Sequence, residues 1–265
     1  MPRFAANLTF LFTELPFMER FAAAGKAGFE AVEFMFPYDY KLEDIKTQLE
    51  KNNLNLVLCN LPAGQWTASD RGTAADPGRK DEFREGIEKA IEAATFLGVS
   101  RMNCLVGLKS EKATDEATWD TLKDNISYAA TKLAEKNILL LVEPINHHDM
   151  PGFALNTCGQ VLKLLAEINH PNAFLQFDVY HARRENEDLS LLLDNHLETI
   201  GHIQIADCPG RHQPDTGKTD FKNLFFDIDR LNYRGYVSLE YVPEPDTLTS
   251  LKWLSKYGYS LTKGV

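Results

Sequence analysis

The fold is decided by the stretch Asn137-Ile-Leu-Leu-Leu-Val-Glu143-Pro144-Ile-Asn146-His147-His148. Residues 138–142 are all apolar and show no polar alternation, which is typical of a strand buried on both faces in a parallel sheet covered by helices. Glu143 follows directly, and the proline after it lacks the N–H that the sheet would need. A carboxylate at the end of a buried strand is costly unless a positive group, often a metal, meets it. The alternative is that Glu143 only leads into a surface loop.

The rest of the chain alternates between strand-like and helix-like segments. Apolar runs predict further strands over residues 4–12, 31–36, 54–61, 101–106, 173–179, 200–206 and 236–242. Helical spacing of apolar residues predicts helices near 17–27, 42–49, 83–97, 115–135, 157–168, 189–193, 221–231 and 248–253. Eight strands alternating with helices predict an α/β protein, a single (β/α)₈ TIM barrel over residues 1–265. An open doubly wound sheet is disfavoured, because the sequence has neither a G-x-G-x-x-G after the first strand nor a P-loop.

Composition narrows the class of protein. The 265 residues are 44% hydrophobic and carry a formal net charge of −10, which disfavours a nucleic-acid partner because phosphate binding needs concentrated Lys and Arg. The sequence contains no apolar run long enough for a membrane span, and its N-terminus does not have the pattern of a signal peptide. The four cysteines, Cys59, Cys104, Cys158 and Cys208, are far apart, so we expect free thiols in a reducing cytoplasm.

A long irregular segment, residues 62–79, follows the third predicted strand. Its Gly, Ala, Asp and Pro content indicates a loop, and loops of this length in compact domains are often functional lids. The presence of Trp66 close to Arg71 favours a lid that closes on a substrate, although a simple connector remains the alternative.

Polar residues occur at the ends of four successive strands, where the active sites of TIM barrels lie. Glu143 ends the fifth strand, Asp178 the sixth, Gln204 lies in the seventh and Glu240 in the eighth. Three carboxylates and one amide oxygen form a hard ligand set, which suits Mg²⁺ or Mn²⁺ better than a thiolate-loving metal. The alternative is that Gln204 fills a polar layer and Glu240 pairs with a lysine.

Glu143 and Glu240 also suggest a type of reaction. They come from the fifth and eighth strands, so they could flank a substrate across the barrel mouth. Two carboxylates around a hydroxy-carbonyl compound indicate removal of a proton next to the carbonyl and its return at the neighbouring carbon. A metal would offset the charge that develops on the enediolate oxygens.

The motifs together resemble the hydroxypyruvate isomerase family, within the sugar isomerases and epimerases of the endonuclease-IV-type TIM barrel superfamily. The resemblance is carried from end to end by Arg3-Phe-Ala-Ala-Asn7-Leu, Gly28-Phe-Glu-Ala-Val-Glu33-Phe-Met-Phe-Pro-Tyr-Asp, Asn60-Leu-Pro-Ala-Gly64, Val142-Glu-Pro-Ile-Asn146, Gln176-Phe-Asp178-Val-Tyr-His181, Gly201-His-Ile-Gln204-Ile-Ala-Asp207 and Glu240-Tyr.

The resemblance implies a metal bound by Glu143, Asp178, Gln204 and Glu240, with Glu143 and Glu240 as the pair that transfers protons. It implies that His181 and Arg211 contact the substrate carboxylate, and it places Asn7 at the substrate. Asp149 stands where related ketose epimerases carry a substrate-contacting Glu. The chain departs from the family at Lys218, where an acid is usual.

The leading hypothesis is therefore the isomerisation of hydroxypyruvate to tartronate semialdehyde (2-hydroxy-3-oxopropanoate). A 2-oxo-tetronate isomerase and a ketose 3-epimerase remain open, because one extra hydroxymethyl group changes a pocket more subtly than motifs can show. A metal-dependent DNA phosphodiesterase on the same barrel is disfavoured by charge, and a barrel that only binds a ligand would not need two flanking carboxylates. The predicted partner is a small hydroxy-oxo acid, and a homo-oligomer is left open.

Overall fold

Eight parallel strands close into a barrel in the order in which they occur along the chain. The computed structural model describes residues 1–261. The strands are β1 Arg3–Asn7, β2 Ala31–Glu33, β3 Asn55–Asn60, β4 Arg101–Cys104, β5 Leu139–Val142, β6 Ala173–Asp178, β7 Ile200–Ile205 and β8 Tyr236–Leu239. Closure occurs between β1 and β8, where Ala6 lies opposite Leu239. The predicted (β/α)₈ barrel is confirmed.

Helices connect the strands and form the outer layer. They are α1 Phe17–Ala27, α2 Leu42–Lys51, α3 Lys80–Leu97, α4 Asp115–Ala134, α5 Cys158–Ile168, α6 Val179–Arg184, α7 Leu189–His196, α8 Phe221–Arg230, α9 Thr247–Ser250 and α10 Trp253–Lys256. Local capping interactions determine where these helices begin and end. Helix α5 begins with a capping box made by Thr157 and Gln160, and α1 ends at Gly28 in the left-handed conformation. Within residues 1–261, no helix is both long and apolar enough to cross a membrane.

The barrel interior changes from apolar to polar along the strands. Ala5, Ala31 and Leu141 belong to a small buried apolar cluster. Alternate strand residues share a face, so the side chains two positions further on, those of Asn7, Glu33 and Glu143, occupy the same interior nearer the C-terminal ends. The barrel interior therefore has an apolar lower layer and a polar layer near the C-terminal ends of the strands.

Several predicted element boundaries were wrong. Strands β2, β4 and β8 end two to three residues earlier than predicted, and three further boundaries differ for local reasons. The first strand ends at Asn7 and not at residue 12, because residues 8–15 form turns in which Phe12 has a φ of 59°. The sixth strand ends at Asp178, whose side chain accepts a hydrogen bond from the Tyr180 N–H and begins α6. The single helix predicted over 248–253 is two short helices, α9 and α10.

Candidate active site

The predicted site residues meet at the C-terminal mouth of the barrel. Glu143 directly follows β5, Asp178 is the last residue of β6, Gln204 lies in β7 and Glu240 directly follows β8. A cavity of about 180 Å³ opens here. It is lined by Asn7, Phe10, Phe34, Met35, Leu58, Asn60, Trp66, Leu105, Glu143, Ile145, Asp149, Met150, Gln176, His181, Gln204, Arg211 and Glu240. Asp178 lies beside this cavity, in contact with Arg211 and His181.

Two of the three buried carboxylates lie beside the Arg211 guanidinium, and the third, Glu143, bonds to an amide. Arg211 Nη2 lies 3.7 Å from Asp178 Oδ2 and 3.7 Å from Glu240 Oε2. Neither of these two carboxylate oxygens has a hydrogen-bond partner among the described residues. Glu143 Oε2 accepts a hydrogen bond of 2.7 Å from Asn103 Nδ2. Buried oxygens without partners are rare in proteins and call for an explanation.

Burial shifts the pKa of each of these acids upward. It raises the pKa of Glu143 to about 8, an effect that the Asp178 carboxylate reinforces. It raises the pKa of Asp178 to about 6, against the opposing charge of Arg211, and it holds the pKa of Glu240 well above its usual range. Strongly shifted acids gathered at one cavity are typical of catalytic and metal sites.

His181 is held as a neutral ring with its proton on Nε2. The Asp149 N–H donates to Asn146 Oδ1, which fixes the amide and leaves Asn146 Nδ2 to donate to His181 Nδ1 at 2.7 Å. A neutral imidazole that accepts at Nδ1 carries its hydrogen on Nε2. Burial and the charges of Arg211 and Arg184 lower the pKa of His181 well below its usual range. His181 Nε2, 3.5 Å from Asp178 Oδ2, is therefore a donor facing the site.

Arg211 is positioned by a strained loop and by aromatic rings. Its φ of 58° lies in the left-handed region, which is uncommon for residues other than Gly or Asn. The guanidinium lies 4.8 Å from the ring centroid of Phe10 and 5.0 Å from that of Tyr180. Asp207 holds the loop, because its carboxylate accepts from the N–H groups of Gly217 and Thr219.

Gln204 takes part in a buried hydrogen-bond network. Its Nε2 donates to Glu33 Oε1 at 2.8 Å, and its Oε1 accepts from Gln176 Nε2 at 2.6 Å. A carbonyl oxygen has a second lone pair, so this bond leaves Gln204 Oε1 able to bind a metal. Burial acts to raise the pKa of Glu33, but the charge and hydrogen bond of His202, with bonds from Gln204 and Ser238, lower it overall.

Of the other predicted substrate residues, three line the cavity and one does not. Asn7 lines it and donates to Glu33 Oε1, and Asp149 lines it while accepting from the Tyr180 hydroxyl at 2.7 Å. Trp66 also lines it, in a short 3₁₀ turn. Arg71 instead contacts Trp66, with its guanidinium carbon 4.4 Å from the ring centroid.

Sequence reasoning did not assign roles to several buried polar residues around the site. They are Glu33, Asn60, Asn103, Asn146, Gln176, His202 and Ser238. The sequence does show that a polar residue interrupts an otherwise apolar strand, as the charged Glu33 does in β2. Such a residue indicates that the barrel interior is polar, but it does not indicate which side chains form hydrogen bonds there.

The donor set fits a divalent metal. Three carboxylates against one guanidinium leave two negative charges if all are ionised, and Asp178 Oδ2 and Glu240 Oε2 lack partners within residues 1–261. Potential ligand atoms of Glu143, Asp178 and His181 lie within 4.8 Å of one another. An oxygen-rich set of this kind suits a hard cation. The arrangement thus indicates a metal site.

Comparison with known proteins places the chain in a family. A family model described as the xylose isomerase-like TIM barrel matches residues 21–257. Hydroxypyruvate isomerase of Escherichia coli K12 is 45% identical over 97% of this chain and 100% of its own length. A 2-oxo-tetronate isomerase of Cupriavidus necator is 40% identical over 97% of this chain and 99% of its own length.

A solved structure titled AP endonuclease, family 2, from Brucella melitensis shares 40% identity with a TM-score of 0.94, covering 97% of this chain and 99% of that one. The resemblance found from the motifs is confirmed. The chain belongs to the xylose isomerase-like TIM barrel family and is an isomerase.

Proposed function

We propose that this protein interconverts hydroxypyruvate and 2-hydroxy-3-oxopropanoate by proton transfer through an enediolate, with a divalent metal ion. The observation that carries the proposal is that two buried carboxylates, Glu143 and Glu240, line one small cavity. The similarity to hydroxypyruvate isomerase over nearly the whole chain supports the choice of substrate.

The reaction moves a carbonyl group between neighbouring carbons. One glutamate removes a proton from C3 of hydroxypyruvate, and the electron pair of the C–H bond forms the enediolate. The second glutamate delivers a proton to C2, while the proton of the C3 hydroxyl is transferred to the C2 oxygen. The product is an isomer of the substrate, so no oxidant or reductant is consumed.

The burial of both glutamates suits this role. A general base works best when its pKa is near the working pH, and burial raises the pKa of Glu143 to about 8. A bound cation would lower that value. The apolar walls, among them Phe34, Leu105 and Ile145, exclude water from a reactive intermediate.

Glu143, Asp178, Gln204 and Glu240 are the proposed metal ligands, because they are the oxygen donors at the ends of β5 to β8. A bound Mg²⁺ or Mn²⁺ would stabilise the negative charge that develops on the two substrate oxygens. His181 lies within ligand distance of Glu143 and Asp178, but it is assigned to the substrate, because its Nδ1 contacts the Asn146 amide and its Nε2 then presents a hydrogen to the site.

Arg211 and His181 are proposed to bind the substrate carboxylate. Both line the cavity, and a guanidinium beside an Nε2–H donor suits a planar anion. The rings of Phe10 and Tyr180 pack against the guanidinium of Arg211 without neutralising it. Asn7 and Asp149 line the same cavity and are proposed as further substrate contacts.

The decisive experiment compares three candidate substrates. The purified protein, supplied with Mg²⁺ or Mn²⁺, is assayed with hydroxypyruvate, with a 2-oxo-tetronate and with a free ketose such as fructose. The proposal expects the highest kcat/KM with hydroxypyruvate and incorporation of deuterium from D₂O into the product. A higher kcat/KM with 2-oxo-tetronate, the substrate class of the Cupriavidus necator relative, would reassign the substrate. Cleavage of DNA at an abasic site without isomerisation would overturn the proposal.

A further inference from the structure

Glu33 fixes the direction of a chain of hydrogen bonds through the barrel interior. Its side chain is fully buried, and both of its oxygens are surrounded by donors. Oε1 accepts from Asn7 Nδ2 at 2.9 Å and from Gln204 Nε2 at 2.8 Å. Oε2 lies 2.6 Å from Ser238 Oγ and 2.7 Å from His202 Nε2. Because an ionised carboxylate can only accept hydrogen bonds, Gln204 must direct its NH₂ group, and not its oxygen, at Glu33.

The orientation of Gln204 then fixes the orientation of Gln176. With its NH₂ group committed to Glu33, Gln204 turns its oxygen towards Gln176. Only the NH₂ group of Gln176 can satisfy that oxygen, and the two atoms are 2.6 Å apart. An amide placed in this way must direct its own oxygen elsewhere.

The oxygen of Gln176 is therefore an acceptor without a donor. Gln176 is 1% exposed and lines the cavity, and its Oε1 has no hydrogen-bond partner in the part of the chain that is described. A buried amide oxygen left unpaired costs about as much free energy as a hydrogen bond contributes, unless a ligand supplies the donor. It differs from the unpaired oxygens of Asp178 and Glu240, because it belongs to a neutral amide, whereas those two belong to carboxylates beside Arg211.

We propose that Gln176 binds the substrate by accepting a hydrogen bond from the C3 hydroxyl. This inference rests on the proposed function, since hydroxypyruvate has a single hydroxyl, on C3, and is otherwise an anion that only accepts. Gln176 lies in β6 two residues before Asp178, and alternate strand positions share a face. Its oxygen therefore belongs to the deeper part of the cavity, below the end of the strand. Glu33 and Gln204 act as positioning residues for this contact.

The test uses two inert ligands that differ by one hydroxyl group. Glycerate carries a C3 hydroxyl and lactate does not, and neither can be isomerised, so binding is measured without turnover. Calorimetry on the metal-supplemented protein should give tighter binding of glycerate. Gln176→Met, which keeps the length but removes the acceptor, should weaken glycerate binding about three- to tenfold while changing lactate binding by less than about twofold.

The control makes the same substitution away from the cavity. Gln48→Met, in α2, should leave both ligand affinities unchanged. Mn²⁺ affinity, measured by electron paramagnetic resonance, should be unchanged in Gln176→Met, which shows that Gln204 has kept its place. Equal losses for both ligands, or equal affinity of the wild-type protein for the two, would overturn the proposal.

Failure of the proposed function would be seen separately. A wild-type protein that binds glycerate more tightly than lactate but does not isomerise hydroxypyruvate would retain the Gln176 contact and lose the substrate assignment. A wild-type protein that isomerises hydroxypyruvate, while Gln176→Met binds glycerate normally, would retain the function and refute the contact.

Discussion

Glu143 and Glu240 are both buried acids at the barrel mouth, yet their surroundings differ. Glu143 Oε2 accepts a hydrogen bond from Asn103, whereas Glu240 Oε2 faces the Arg211 guanidinium at 3.7 Å. Asp178, the third acid, accepts from the Tyr180 N–H and so also caps a helix. These contacts suggest that removing charge from each acid has a different consequence.

We predict that Glu143→Gln and Glu240→Gln each lower kcat by at least about 10²-fold at saturating metal, because the proton-transferring carboxylate is lost while size and one ligand oxygen remain. Asp178→Asn should mainly raise the metal concentration needed for activity. Steady-state kinetics across a metal titration, with circular dichroism to verify folding, measures both effects.

Glu244→Gln provides the matched control. Glu244 is an exposed acid on the segment after β8, with its carboxylate 3.4 Å from His212 Nε2, so its charge should not affect kcat. Equal losses in all three site variants that extra metal restores would show that these acids are ligands only. The proton-transfer roles would then be wrong.

The metal itself gives a second prediction at the level of single atoms. The proposed ligands are all oxygens, and two of them lack partners among the described residues. We expect EDTA treatment to abolish activity and Mg²⁺ or Mn²⁺ to restore it. Titration of the metal-free protein with Mn²⁺ should show one bound ion, and Asp178→Asn should weaken its binding. Full activity in a protein shown by elemental analysis to be metal-free would exclude the metal.

At the scale of secondary-structure elements, the sequence predicted the barrel correctly but misplaced the ends of some strands and helices. Apolar runs and helical spacing are local properties, so they identified every strand. The first strand was extended to Phe12 because residues 8–12 are also largely apolar, but they form turns over the barrel mouth. Helix α6 was missed because its start depends on Asp178 capping the Tyr180 N–H, a contact that hydrophobic periodicity cannot show.

The same limit applies to the site. Strand-end acids were predictable, because carboxylates interrupt apolar runs at Glu143 and Glu240. Glu33 was not, because its partners Gln204 and Ser238 lie 171 and 205 residues away along the chain. Only closure of the barrel brings β2, β7 and β8 within reach of one another.

Residues 62–79 are held more firmly than an open loop would be. Asp70 forms a bidentate ion pair with Arg79, with N···O distances of 2.9 and 2.7 Å. The Gly72 N–H donates to the Ala63 carbonyl. Trp66 extends from this frame to the cavity, with its ring centroid 5.2 Å from that of Phe36. Arg71 covers the indole and is positioned to act through it.

We therefore expect Trp66→Ala to lower kcat/KM about ten- to a hundredfold, because the cavity loses a wall and water reaches the intermediate. Arg71→Ala should have a smaller effect of the same kind. Thr67→Ala, an exposed change in the same turn, is the control. Unchanged kcat and KM in both variants would make the segment a connector and not a lid.

At the scale of the whole molecule, chemistry and stability depend on different parts of the barrel. The site residues occupy the C-terminal ends of the strands, while the large apolar core joins the strands to the surrounding helices. In TIM barrels the catalytic face can vary because the packing beneath it holds the fold. Changes in the helix-facing core should thus alter stability without altering the chemistry.

Two leucines test this separation with the same substitution. Leu164, in α5, is fully buried in the core, whereas Leu191, in α7, is 60% exposed. We predict that Leu164→Ala lowers the free energy of unfolding by about 2–5 kcal/mol, through lost apolar burial and the cavity left behind. Leu191→Ala should change it by less than about 0.5 kcal/mol. Urea unfolding followed by circular dichroism measures both, and kcat at 25 °C should match the wild type in each. A large fall in kcat for folded Leu164→Ala would mean that packing around α5 determines the geometry of the mouth, and the separation of chemistry from the helix-facing core would be refuted.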